Sequence, residues 1–159
     1  MGKNVSKIIT ATKTNLLNTG VLLLRLTLGV IFFGVGASKV FGWFGGFGLD
    51  TTLQFYSKMG IPVFWSYCSI FAEFIGGFLL FIGLFTRPVA FVLMINMIVA
   101  TILTLPSGFF VGRASYPFSI MMCTIVLLFT GPMAISLDSI IFSQKITRDQ
   151  TNEKQVIDS

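Results

Sequence analysis

The stretch FWSYCSIFAEFIGGFLLFIGLFTR, residues 64–87, decides the fold. It is apolar over the length of a bilayer, yet it holds Glu73 at its centre and the pair Gly76-Gly77 just beyond. A charged side chain inside such a segment costs ~2.5–3.5 kcal/mol on insertion scales, so the carboxylate must be paired, hydrated or protonated. Glu73, Gly76, Gly77, Leu80 and Leu84 recur at helical spacing. The acid therefore lies on a helix face whose glycines let another backbone approach closely, and its partners must come from other helices.

Working outward, the 159 residues are 54% hydrophobic and 11% charged, with a mean hydropathy of +0.88, which argues against a soluble globular domain. Residues 21–44, 64–85, 89–105 and 117–135 each approach the ~20 apolar residues that cross a bilayer core. The expectation is an all-α integral membrane four-helix bundle formed by residues 20–142. Polar cytoplasmic tails flank it at 1–19, disordered or interfacial, and at 143–159, disordered. The first apolar run is too long for a signal peptide and contains Arg25, so it reads as a retained helix.

The formal charge of +5 does not point to nucleic acid, because the basic residues flank apolar runs and form no aromatic-interleaved patch. They read as topology signals and lipid headgroup contacts. Lys3, Lys7, Lys13, Arg87, Lys145, Arg148 and Lys154 fall on one side, against Lys39, Lys58 and Arg113 on the other. The positive-inside rule then places both termini in the cytoplasm.

In the first span Arg25, Gly29, Phe32, Gly36 and Lys39 share a face that should point into the bundle, although Lys39 lies near enough to the helix end to snorkel. The linker 41–62 opens with a glycine- and aromatic-rich stretch. It continues into a short amphipathic helix with Asp50 as N-cap, which should lie in the interface between the first and second spans. The turn Thr86-Arg87-Pro88 starts the third helix, with Arg87 anchored at headgroups. Asn96 is the one amide of the third span, and Tyr116, Ser119, Cys123 and Thr130 form a mildly polar stripe on the fourth.

Counting ~1.5 Å per residue from a boundary near Gly20 puts Arg25 ~8 Å deep, Asn96 ~12 Å, Glu73 ~20 Å and Lys39 ~28 Å. The expected polar cluster is Arg25, Lys39, Glu73, Asn96 and Tyr116. Glu73 would be ionised and held by at least one first-helix cation, with Asn96 serving Arg25. Gly29, Gly36, Gly76 and Gly77 are the packing positions. Cys68 and Cys123, in apolar runs and outside any metal-spaced pattern, are expected as free thiols. Histidine is absent from the sequence, which removes the commonest haem ligand and proton shuttle, and no metal is expected.

The run Leu24-Arg25-Leu26 through Gly29, Phe33, Gly36 and Lys39, then Glu73-Phe74-Ile75-Gly76-Gly77, Gly83-Leu84-Phe85-Thr86-Arg87 and Gly131-Pro132 with Ser136-Leu137-Asp138, resembles the DoxX family of small bacterial membrane proteins. The resemblance spans residues 22–140. It implies a multi-pass inner-membrane protein in which Arg25, Glu73 and Arg87 are recurrent charged positions and Asp138, with Arg87 a cytoplasmic-face anchor, belongs to the closing motif. In a few members it implies partnership with sulfur or oxidative-stress redox enzymes, including the DoxD subunit of a thiosulfate:quinone oxidoreductase.

Three functions follow as expectations. One is a structural or partner-binding subunit of a membrane-associated redox assembly, without catalytic activity or cofactor of its own, and open to homo-oligomerisation. Another is a quinone-interacting subunit of a sulfur-compound oxidoreductase. The third is a small-solute transporter, for which four short helices with few polar residues form a poor conduit.

Overall fold

The computed structural model describes residues 2–110 and 112–131, with side chains from Thr12 onward. Its helices, in chain order, are α1 (Gly2–Phe41), α2 (Gly48–Lys58), α3 (Val63–Ile82), α4 (Thr86–Thr104) and α5 (Ser115–Thr130), with 3₁₀ turns at Trp43–Gly45 and Leu105–Ser107. No strand occurs among the described residues. Thr12–Phe41, Val63–Ile82 and Thr86–Ser107 are long and apolar enough to cross a membrane, and Ser115–Thr130 is a shorter apolar helix. The expected fourth span thus appears as a helix of 16 residues. Its last part, residues 132–135, lies outside the described residues, as do the Ser136-Leu137-Asp138 motif and the segment 143–159.

Local chemistry sets the breaks. α3 starts after Pro62, which is extended, and stops at Gly83 in the left-handed region, whose amide bonds the carbonyls of Leu79 and Leu80. Pro88 falls in the first turn of α4, where its missing N–H costs nothing. α2 starts two residues earlier than expected, at Gly48, so Asp50 is a first-turn acid that complements the helix dipole instead of the N-cap.

Of the two expectations for the N-terminal segment, disordered or interfacial, the first does not hold. α1 begins at Gly2 and runs unbroken for 40 residues, so the polar lead-in is helical. Its Lys, Thr and Asn residues include no proline, and a helix already nucleated by the apolar span propagates into them at little cost per residue. Residues 12–17 are exposed.

α1 packs against α3, α3 against α4, and α4 against α5. Leu28, Phe32, Leu80, Ala90, Leu93, Met97, Ile120 and Leu127 form the buried core. The outer faces are just as apolar: Val30, Leu23, Ile75, Phe78, Ile102 and Phe129 are each more than half exposed. Only 33%, 33% and 22% of an apolar 18-residue stretch in each of the three long spans is buried inside the protein, which makes sense where the remaining surface meets lipid.

Glycine sets the closeness of α1 and α3. A methyl group on Gly36 would lie 2.5 Å from the backbone of Phe74, and one on Gly29 would lie 2.8 Å from the Phe81 nitrogen. Gly77 abuts the backbone of Phe32 and Phe33 in the same way. These contacts ascend α1 as they descend α3, so the two helices are antiparallel and in close backbone contact over several turns. Gly76, one position away, faces the Leu93 side chain of α4 at 3.3 Å.

Candidate functional site

The glycine register brings Lys39 and Glu73 together. Phe74 lies over Gly36, so its neighbour Glu73 stands less than one turn from Lys39, near mid-length of α3. Lys39 Nζ donates to Glu73 Oε2 at 2.5 Å, in an ion pair with Glu73 only 3% exposed and Lys39 21% exposed. Asn96 Nδ2, from α4, donates to the other carboxylate oxygen, Oε1, at 2.9 Å. Ser69 Oγ, one turn before Glu73, donates to Asn96 Oδ1 at 2.7 Å and so fixes the orientation of the amide. Lys39 Nζ also donates to the Tyr56 hydroxyl of α2 at 3.0 Å and lies 5.7 Å from the Tyr56 ring centre.

One carboxylate therefore ties α1, α3 and α4 together, with α2 attached through the lysine. Removing two ions from water costs several kcal/mol each, which only close geometry and further hydrogen bonds offset. Both are present here. Tyr116, in the first turn of α5, is 57% exposed and makes no hydrogen bond to the cluster.

Arg25 is not part of this cluster. It is buried, 5% exposed, with its guanidinium against Gly83, where a methyl group would meet Nη1 at 2.7 Å. Gly83 lies ten residues beyond Glu73, roughly 15 Å along the helix. The cation sits at the carboxyl end of α3, where the helix dipole favours positive charge. Arg87 does the same for α5, its Nε 2.7 Å from where a methyl group on Gly131 would sit. Asn96 serves Glu73 and not Arg25. The depth count failed because it took each helix from its own boundary, whereas the Gly36–Phe74 and Gly29–Phe81 contacts fix the relative levels. Asp138 lies outside the described residues.

Two members of the cluster were missed. Ser69 carries a legible signal, since it lies four residues before Glu73 and hence on the same face. Tyr56 carries none, because only the folding back of the Gly-rich linker brings it to Lys39. Among the described residues no group of three or more His, Cys, Asp or Glu could hold a metal, and Cys68 and Cys123 are both free thiols.

An all-helical chain with lipid-facing apolar surfaces and a buried interhelical ion pair is a membrane protein built around a polar lock. The DoxX family model matches residues 20–106, and the chain belongs to that family. It is 36% identical over 126 residues to "Putative oxidoreductase CatD" of Bacillus subtilis (strain 168), covering 79% of this chain and 90% of the relative. It is 30% identical over 128 residues to "Inner membrane protein YqjF" of Escherichia coli (strain K12), covering 78% of this chain and 93% of the relative. No solved structure matches the chain.

Proposed function

We propose that this protein is a multi-pass inner-membrane component of a redox assembly, in which the Lys39–Glu73–Asn96 lock fixes the helices and a partner protein supplies the catalysis. The carrying observation is that each carboxylate oxygen of Glu73 already has a donor from another helix. An acid held this way is well placed to specify packing and poorly placed to exchange protons with a substrate. The names of the two relatives, one an oxidoreductase and one an inner membrane protein, support the setting. Affinity purification in mild detergent tests the proposal: a stoichiometric oxidoreductase should co-purify. Substrate turnover by the isolated chain, with no partner recovered, would sink it.

A quinone-interacting subunit is the second reading, favoured by the exposed hydroxyl of Tyr116 at the start of α5. Lipid extraction of the purified protein separates the two, since bound quinone at near one per chain supports only the second.

The topology belongs to the same proposal. α1, α3, α4 and α5 each cross the membrane, both termini are cytoplasmic, and α2 lies in the opposite interface. The basic-residue asymmetry supports this arrangement. A cysteine at Lys58 should be labelled by an impermeant reagent from outside, and one at Lys154 only from inside. Labelling of both from one side would overturn it.

A further inference from the structure

The chain has six acidic residues, and their positions narrow the choice of counter-charge for Arg25. Arg25 is 5% exposed, and a guanidinium taken out of water needs hydrogen bonds and a full opposite charge. The carboxyl end of α3 at Gly83 offers a dipole equivalent to only about half an elementary charge. Neither Arg25 nor Thr86, which is fully buried in the first turn of α4, is without a partner. Two of the six acids are ruled out by position. Glu73 lies ten residues from Gly83 along α3, roughly 15 Å away. Asp50 is in the first turn of α2, which Tyr56 ties to Lys39, fourteen residues or about 21 Å from Arg25 along α1.

The other four, Asp138, Asp149, Glu153 and Asp158, all follow Gly131. That glycine lies against Arg87, four residues past Gly83, so the chain leaves α5 at the same end of the bundle as Arg25. Reach and setting single out Asp138. Gly83 and Arg87 are at most about 14 Å apart along the chain, whereas the seven residues from Gly131 to Asp138 can span up to about 23 Å. Ile135, Leu137, Ile140 and Ile141 flank Asp138, so a carboxylate carried there can leave water together with its neighbours. Asp149 and Glu153 instead adjoin Arg148 and Lys154 in a polar stretch, and Asp158 is the penultimate residue.

We infer that the chain after Gly131 doubles back over the α3–α4 turn as a strap, with the Asp138 carboxylate paired to the Arg25 guanidinium. This is a second lock, at the other end of the α1–α3 contact from Lys39 and Glu73, and it ties the first hairpin to the end of the second. One charge pair anchors it, so the strap can open while Lys39–Glu73 stays closed. The inference does not rest on a redox partner. An assembly without a co-purifying oxidoreductase would leave it standing, and its failure would leave the assembly reading intact.

The test is chymotrypsin digestion of the full chain in nanodiscs, where cleavage after Leu137 or Phe142 follows the population of the open strap. Arg25→Gln and Asp138→Asn should each raise that cleavage about tenfold, and the double variant should raise it no further, because both changes remove one pair. Asp149→Asn and Glu153→Gln should leave it unchanged. If the charge-removing variants do not fold, a chain that keeps both charges decides: Leu84→Cys with Ser139→Cys, in a Cys68→Ser, Cys123→Ser background, should be linked within one chain by a short bis-maleimide. Additive effects of Arg25→Gln and Asp138→Asn, an equal response to Asp149→Asn, or no link within the chain would each overturn the strap. So would loss of protection on merely exchanging anionic for zwitterionic lipid, which would give Arg25 a headgroup phosphate as its counter-charge.

Discussion

The α1–α3 and α4–α5 pairs end in matching residues, turn differently there, with ψ 35° at Gly83 and −166° at Gly131, and are filled differently. The first ends in Leu79-Leu80-Phe81-Ile82-Gly83 and the second in Leu127-Leu128-Phe129-Thr130-Gly131. Both glycines have positive φ, 75° and 69°, and both donate their amide to the carbonyl four residues back, at 2.9 Å. An arginine from the partner helix lies against each, Arg25 on Gly83 and Arg87 on Gly131. Beyond the closure the likeness stops. Thr101 stands as far beyond Arg87 as Lys39 does beyond Arg25, and Met121 as far before Gly131 as Glu73 before Gly83. Thr101 merely returns its hydroxyl to the Met97 carbonyl of its own helix. The arginine against a terminal glycine is thus common to both hairpins, while the ion pair belongs to one of them, which marks it as the place to look for function.

The sharpest way to break this contrast is at its charged member. Glu73→Ala should strand Lys39 as a buried cation and lower stability by about 3 kcal/mol, with Glu73→Gln milder because an amide still accepts from the ammonium. Thr101→Ala, its counterpart test in the second hairpin, should stay within about 0.5 kcal/mol. Thermal unfolding in one detergent compares all three. Equal losses for Glu73→Ala and Thr101→Ala would erase the distinction.

Backbone closeness gives the next effect. Gly36→Ala would drive a methyl group into the Phe74 backbone and should cost about 2 kcal/mol. Gly76→Ala meets only the Leu93 side chain at 3.3 Å, which can rotate, so its melting temperature should fall less.

The closures themselves should differ modestly. Arg25 is buried whereas Arg87 is exposed, so Arg25→Ala should cost about 2 kcal/mol and Arg87→Ala about 0.5 kcal/mol in the same assay. The reverse order would mean that the second hairpin depends more on its clasp than burial indicates. The smallest effect concerns the cysteines: the alkylated, unreduced protein should carry two alkyl groups, and a two-hydrogen deficit in its intact mass would contradict the free thiols.

Much of the first hairpin was legible because helical periodicity leaves few choices once a segment must cross a bilayer. Gly29 with Gly36, and Glu73 with Gly77, fall on faces that meet. The short helix after the Gly-rich linker was legible in kind from Leu53, Phe55, Tyr56 and Met59, though its start was misplaced because Gly48 with φ +74° can open a helix that Asp50 was expected to cap. The partner of Glu73 was not legible. Arg25 and Lys39 share a face and differ only in level, and level is set by contacts between residues far apart in sequence. The helical lead-in was missed for a related reason: composition alone undervalues a polar segment continuous with a helix that is already formed.

The length of α1 has a mechanical consequence. Forty residues make a rod of about 60 Å, roughly twice the thickness of a bilayer core, with Lys39 near one tip and the basic lead-in at the other. A tilt of one degree displaces one tip relative to the other by about 1 Å, which is large beside a 2.5 Å contact. The Lys39–Glu73 contact and the far end of α1 are therefore geared together, and a load on the N-terminal arm reaches the ion pair without passing through any hinge.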